Sequence, residues 1–170
     1  LVREKLSKVT MGKNAAKILL ATDGSSAALS TVNMLGLLAC KTPPKVTVAH
    51  VVGKPAYLKG WYWGKGKAAF KQLAEQLLEK AQKEGASHLE EMSQRVTGFG
   101  MEVDTVLTKG DPAEEIVKIA ERAKAKLIMV GSKGFIEGKP VPLGEVVRKI
   151  ARHAPCSVWL TRPGRSEKEG

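Results

Sequence analysis

Cysteine is almost missing from this chain: in 170 residues only Cys40 and Cys156 carry a thiol, and they stand far apart. That spacing fits a reducing compartment, with both residues as small core side chains, better than a disulfide framework or a paired metal knuckle. Aromatic residues make up 5% of the chain, and three of them are bunched as Trp61-Tyr62-Trp63 in the loop GWYWGKGK. No apolar run approaches the roughly 18 residues of a membrane-spanning helix, so no membrane is expected as a partner. The basic start LVREKLSKVT leads into MGKNAAK without the apolar centre of a secretory signal. The expectation is a cytoplasmic protein with residues 1–14 as a basic flexible lead. Acidic residues are also missing locally: from Gly24 to Ala74 there are seven lysines and no Asp or Glu.

What is present is the composition of one globular domain, 43% hydrophobic and 26% charged. The net charge of +11 is uneven, because Glu75 to Ala125 holds eleven acids against seven bases. Basic excess of this kind suits an anionic partner or a solubilising surface.

Apolar runs alternate with helical patterns along the whole chain. Lys17–Ala21, Lys45–Val52, Met101–Lys109, Lys126–Val130 and Ser157–Thr161 read as strands. Between them lie helical stripes: Ala27, Ala28, Val32, Leu35 and Leu38; then Phe70, Leu73, Leu77, Ala81, His88, Met92 and Val96, with a point of strain at Gly85. The third helix starts at Gly110-Asp111-Pro112-Ala113-Glu114, where Asp111 can cap and Pro112 suits the first turn. Its buried face is Ile116, Val117, Ile119 and Ala120, and Val146, Val147, Ile150 and Ala151 mark the last helix. Five strand signals separated by helix signals imply an α/β fold: a single doubly wound domain over 15–161, with a five-stranded parallel sheet and helices on both faces. Residues 162–170 read as a polar tail. Ligands of such sheets bind beyond the carboxyl ends of the strands, where the winding reverses, so the loops after Ala21, Val52 and Val130 are the ones to inspect.

The last of these reads VGSKGFIEGKPVPLGEVVRK. Glycines let backbone N–H groups come close to an anion, and the N-terminus of the following helix adds a favourable dipole. By itself the spacing is that of any sharp loop, and it fits neither the P-loop nor the dinucleotide fingerprint.

KILLATDGS, the strand ending AHVV, GDPAEEIVKIAERAKAKLIMVGSKG and RKIARHAPCSVWL together resemble the universal stress proteins, over roughly Lys17 to Leu160. The resemblance implies an adenine nucleotide alpha hydrolase-like domain that is usually dimeric, in a family where some members bind ATP and others do not. The family's ATP motif is similar to Gly131-x2-Gly134-x9-Gly144 followed by Ser or Thr. By position, Asp23 and Val51 would meet the adenine, Gly131 the ribose region, and Gly134 and Gly144 the phosphates. Thr22, Ser132, Lys133, Glu145 and Val146 complete the implied nucleotide set, with ATP as ligand and Mg²⁺ able to accompany it. Pairing of last strands, Ser157–Thr161, would make the homodimer, and an unidentified protein would be the further partner.

One position departs from the pattern. Glu145 stands where the family has a hydroxyl, and a carboxylate at neutral pH only accepts hydrogen bonds. For unit charges about 4 Å apart at an effective dielectric near 20, its repulsion of a phosphate is about 4 kcal/mol, reduced if Lys133, Lys139 or a cation screens it. Two readings therefore stay open: a noncatalytic stress-response protein whose nucleotide modulates dimer or partner contacts, and a member that has lost ATP and acts through protein contacts alone. An enzyme is not expected, since Ser25 and Ser26 occupy no nucleophile elbow and TDGSSAA does not match the SGGxDS loop of the related pyrophosphatases. His50, His88 and His153 lie on separate elements without metal spacing, and packing is the expectation for His50 and His88. The Trp61-Tyr62-Trp63 loop, with Lys54, Lys59, Lys65 and Lys67 near it, suits a lid, a docking point, nucleic-acid bases or simple folding back onto the domain.

Overall fold

The computed structural model describes residues 15–38, 42–53, 67–132, 135–136, 139–140 and 143–162. The basic lead, Cys40, the Trp61-Tyr62-Trp63 loop, Lys133, Gly134 and residues 163–170 lie outside them. In chain order the elements are β1 (Lys17–Thr22), α1 (Ser26–Gly36), β2 (Lys45–Gly53), α2 (Lys67–Gly98), β3 (Glu102–Gly110), α3 (Pro112–Ala123), β4 (Leu127–Gly131), the short strands β5 (Phe135–Ile136) and β6 (Lys139–Pro140), α4 (Glu145–His153) and β7 (Ser157–Thr161). Five of these strands form one parallel sheet in the order β3-β2-β1-β4-β7. β5 and β6 pair antiparallel as a separate hairpin inside the glycine-rich stretch, where the sequence signals only a loop.

Why each strand sits where it does follows from its side chains. KILLAT is buried at all but its first residue, which requires cover on both faces and pairing on both edges, and β1 is central. EVDTVLTKG is charged and largely exposed, which suits the outer position of β3. There Lys45 on β2 bridges Glu102 at 2.7 Å and Asp104 at 3.1 Å.

Alternation along the strands divides the core in two. Ile18, Leu20, Val46, Val48 and Met129 point to the face covered by α1 and α2, where Val32, Leu35, Leu89, Met92 and Val96 pack on them. Leu19, Ala21, Ala49, Ile128 and Val130 point to the other face, under Ile116, Ile119 and Ala120 of α3 and Val147 and Ile150 of α4. Side-chain period 2 in the strands and period 3.6 in the helices together give this layering.

Two details refine the periodic reading. The second stripe forms one long helix, α2, which passes through Gly85 unbroken over 32 residues. The glycine marks the place where the helix presses on β2: a Cβ there would lie 2.7 Å from the His50 ring. In α4 the buried pair is Val147 and Ile150, while Val146 and Ala151 face outward. The caps behave as their chemistry dictates: Asp111 Oδ1 accepts from the N–H groups of Ala113 and Glu114, with Pro112 in the first turn. Among the described residues no helix is long and apolar enough to cross a membrane.

Candidate functional site

The chain winds from β1 outward to β2 and β3, then returns to the other side of β1 for β4 and β7. Loops leaving β1 and β4 must therefore diverge, and a crevice opens between them at the carboxyl ends. A cleft of about 190 Å³ lies there, with Ala21, Ile116, Val130, Val147 and Ile150 as its apolar floor. Thr22, Asp23, Val51, Gly131 and Val146 complete its walls. Pockets that enclose a whole drug-sized ligand run to roughly 300–1,000 Å³, so this one is sized for a single ring system with the remainder of a ligand outside.

Each wall residue is held by local structure. Thr22 Oγ1 accepts from Gly24 N at 3.1 Å, and Asp23 Oδ1 accepts from Ser25 N at 3.0 Å, closing a tight turn over the end of β1. The cap of α1 is Ser25, whose hydroxyl accepts from Ala28 N, so the Asp23 carboxylate stays exposed at the cleft. Val51 enters from β2, opposite Thr108 of β3 in register.

Gly131 is needed by the packing itself. A Cβ at this position would sit 2.6 Å from the Ala27 carbonyl carbon, so β4 ends against the first turn of α1 only because the residue is glycine. Ser132 is turned away from the cleft: it is buried, its N–H and its hydroxyl both donate to the Thr161 carbonyl, and it ties β4 to β7. Thr161 in turn shares a hydrogen bond with Thr31 of α1. Gly144 and Glu145 open α4. Gly144 provides no side-chain cap, which leaves the first N–H groups of that helix without a cap from its own side chain.

Glu145 is exposed and pairs with Lys149 at 3.4 Å, and Lys149 also reaches Asp111 at 3.7 Å. Hydrogen bonding to Glu145 and then the charge of Asp111 hold the Lys149 ammonium above the ordinary lysine range. The side chains of Lys133 and Lys139 lie outside the described residues; among the described contacts Lys149, one helical turn further on, screens Glu145.

Sequence spacing missed one association. His50 of β2 and His88 of α2, 38 residues apart, lie with ring centroids 5.7 Å apart on the α1/α2 face of the sheet. Both Nδ1 atoms are buried without a hydrogen-bond partner. Burial, and after it the neighbouring His88, push His50 below the usual histidine range, while the Asp23 charge and a hydrogen bond to the Thr22 backbone oppose that shift. A signal did exist: His50 lies in the carboxyl-terminal half of β2 and His88 falls on the buried stripe of α2. Among the described residues no group of three or more His, Cys, Asp and Glu side chains could hold a metal ion.

The two glycines of the motif should separate in a stability measurement. Gly131→Ala forces a methyl into the α1 backbone and is expected to cost about 1–3 kcal/mol, as overpacking does. Gly144→Ala meets no atom within 4 Å and is expected to cost under about 1 kcal/mol. Urea midpoints of the two variants check this, and equal losses would contradict it.

Comparison with known proteins bears on the same framework. Residues 15–162 match the Universal stress protein family. Universal stress protein YxiE of Bacillus subtilis is 27% identical over 146 residues, covering 86% of this chain and 98% of its own. Universal stress protein UspA from Lactobacillus plantarum superposes with a TM-score of 0.68 at 22% identity, over 89% of this chain and 100% of its own. A universal stress protein family protein from Arabidopsis thaliana, solved with AMP bound, gives 0.62 at 17% identity, over 91% and 97%. With the family matched across nearly the whole of the described fold, this chain belongs to the universal stress protein family.

Proposed function

We propose that the cleft between the β1 and β4 loops receives the adenosine part of a nucleotide, and that the chain is a noncatalytic stress-response protein whose ligand modulates its contacts. The observation that carries this is the pairing of an apolar floor with the exposed Asp23 carboxylate at the reversal of the winding. A carboxylate beside an apolar slot suits the amino and hydroxyl donors of adenosine. AMP in the Arabidopsis neighbour supports the ligand class. Thr22 and Asp23 accept hydrogen bonds from their own loop, an arrangement that supports binding rather than a nucleophile paired with a base.

Charge at α4 grades the ligands. The first N–H groups of α4, given no side-chain cap by Gly144, favour a phosphate, while Glu145 opposes each added negative charge at the same helix end. Its pairing with Lys149 and its exposure reduce that opposition well below the Coulomb figure for bare charges. Mg²⁺ bound with the phosphates of ATP would lower it further. The second reading, action through protein contacts alone, is favoured by Glu145 itself.

The contacts proposed are a homodimer and a protein partner. β7 pairs with β4 on one side only, and Val158, Trp159 and Leu160 are half-buried at that edge of the sheet. Strand pairing across it would satisfy the outer backbone groups. Arg148, Lys149 and Arg152 on the exposed side of α4 suit an anionic partner. The proposed setting is the cytoplasm, on the sparse cysteines and the free thiol of Cys156.

Calorimetric titration of adenosine, AMP and ATP, with and without Mg²⁺, tests the site. Glu145→Ser is expected to strengthen ATP binding on the order of threefold to tenfold and adenosine binding not at all. Tight Mg²⁺-free ATP binding by the unaltered protein contradicts the repulsion, and no binding of any of the three favours the contact-only reading. Sedimentation at micromolar concentration should show a dimer, and a monomer there contradicts pairing through β7.

A further inference from the structure

The β1–α1 turn lies at the end of the sheet with the cleft on one side and the histidine pair on the other. Asp23 lines the cleft toward α3 and α4. Gly24, the next residue, rests on the His88 ring: at φ +78 its position would put a Cβ 2.1 Å from Cε1, so nothing but glycine backbone fits there. His50 is influenced from the same turn, where the Asp23 charge and the Thr22 backbone both favour a proton on its ring. One three-residue turn thus connects two half-buried imidazoles, whose Nδ1 atoms are inaccessible, with a proposed ligand site on the opposite face.

We infer that the His50–His88 pair is a proton-responsive latch on this turn, so that protonation of the pair repositions Asp23 and opposes binding in the cleft. This rests, for its effect on the ligand, on the nucleoside reading of the cleft.

The groups facing the pair decide the direction. From α2 come His88 itself and Gly85, which abuts His50; Glu84 and Glu91 on the neighbouring turns are exposed and paired with Lys80 and Arg95. From β3 comes Leu107, whose Cδ1 lies beside Gly85, with Lys109 two residues further along the same face. From the β1–α1 turn come the Thr22 backbone and Asp23. Asp23 is thus the negative charge acting on His50, and its carboxylate accepts from Ser25 N in the neutral state. A proton added to His50 creates a half-buried cation beside the His88 ring with two means of compensation, water entry or movement of Asp23 toward it. Both disturb the turn, because Gly24 lies in contact with the ring. By linkage, a ligand that engages Asp23 removes part of that compensation and disfavours the proton, so protons must weaken the ligand to the same degree. With His50 held below its ordinary value of 6.5, the neutral, latched state is complete above that pH and is lost as pH falls below it.

Two-dimensional NMR of the full chain from pH 8 to 5 tests the latch without any ligand. The amide signals of Gly24 and Ser25 are expected to move with the same midpoint as the His50 Cε1–H signal, and to lose that component in His50→Gln and His88→Gln. Amides that stay fixed through the His50 titration overturn the inference, and this comparison needs only the unaltered protein should a variant fail to fold. Asp23→Asn should lower the His50 midpoint, and an unchanged midpoint also counts against the latch. Adenosine, which carries no group titrating in this range, is the ligand probe: its dissociation constant should rise at least about threefold from pH 7.5 to 5.5 and stay level in His50→Gln. A level constant in the unaltered protein overturns the coupling. If adenosine binds at neither pH while the turn still follows His50, the nucleoside reading fails and the latch stands.

Discussion

β1 can be accommodated in only one kind of place. Ile18, Leu19, Leu20 and Ala21 are all buried and alternate to both sides, so the strand needs neighbours on both edges and helices over both faces. Once it is central, right-handed crossovers require the chain to wind outward on one side and come back to the other. That return separates the loops after β1 and β4 and leaves the cleft. The cleft is therefore a consequence of burying five residues of one strand, and the residues that line it are those the topology brings to the strand ends.

Packing at the switch point then constrains chemistry. Gly131 lets β4 close against Ala27, and Ser132 and Thr161 lock β4 to β7 and, through Thr31, to α1. This polar lock is buried and mutually satisfied, which fixes the position of the β4 end relative to the β1 turn. Fixed walls with one exposed carboxylate suit the proposed nucleotide with its phosphates toward the rim, where the start of α4, which Gly144 does not cap, and the Glu145–Lys149 pair would set opposing preferences.

Much of this was legible in the chain. The five strands of the parallel sheet and the helices followed from period 2 and period 3.6, because β1 and β4 bury nearly continuous runs and each helix one stripe, while the β5–β6 hairpin read only as a loop. The cleft walls at Thr22, Asp23, Val51, Gly131 and Val146 followed from strand ends in a doubly wound sheet together with the family resemblance. Three further things did not. Ser132 reads as part of a loop motif, and only the parallel register of β4 with β7 turns it inward. Gly85 reads as a helix weakness, and only the approach of α2 to β2 makes it a contact. The His50–His88 pair joins residues 38 apart on different elements, so no local spacing announces it. Each depends on which elements pack together, which local periodicity does not encode.

The central claim is that the cleft at the carboxyl ends of β1, β2 and β4 takes an adenosine group. Amide chemical-shift mapping on addition of AMP tests it most directly, residue by residue. The account predicts the largest shifts at Thr22, Asp23, Val51 and Gly131, with smaller ones at Gly144 and Glu145. Shifts confined to β3 and the outer face of α2, or none at millimolar AMP, would contradict it.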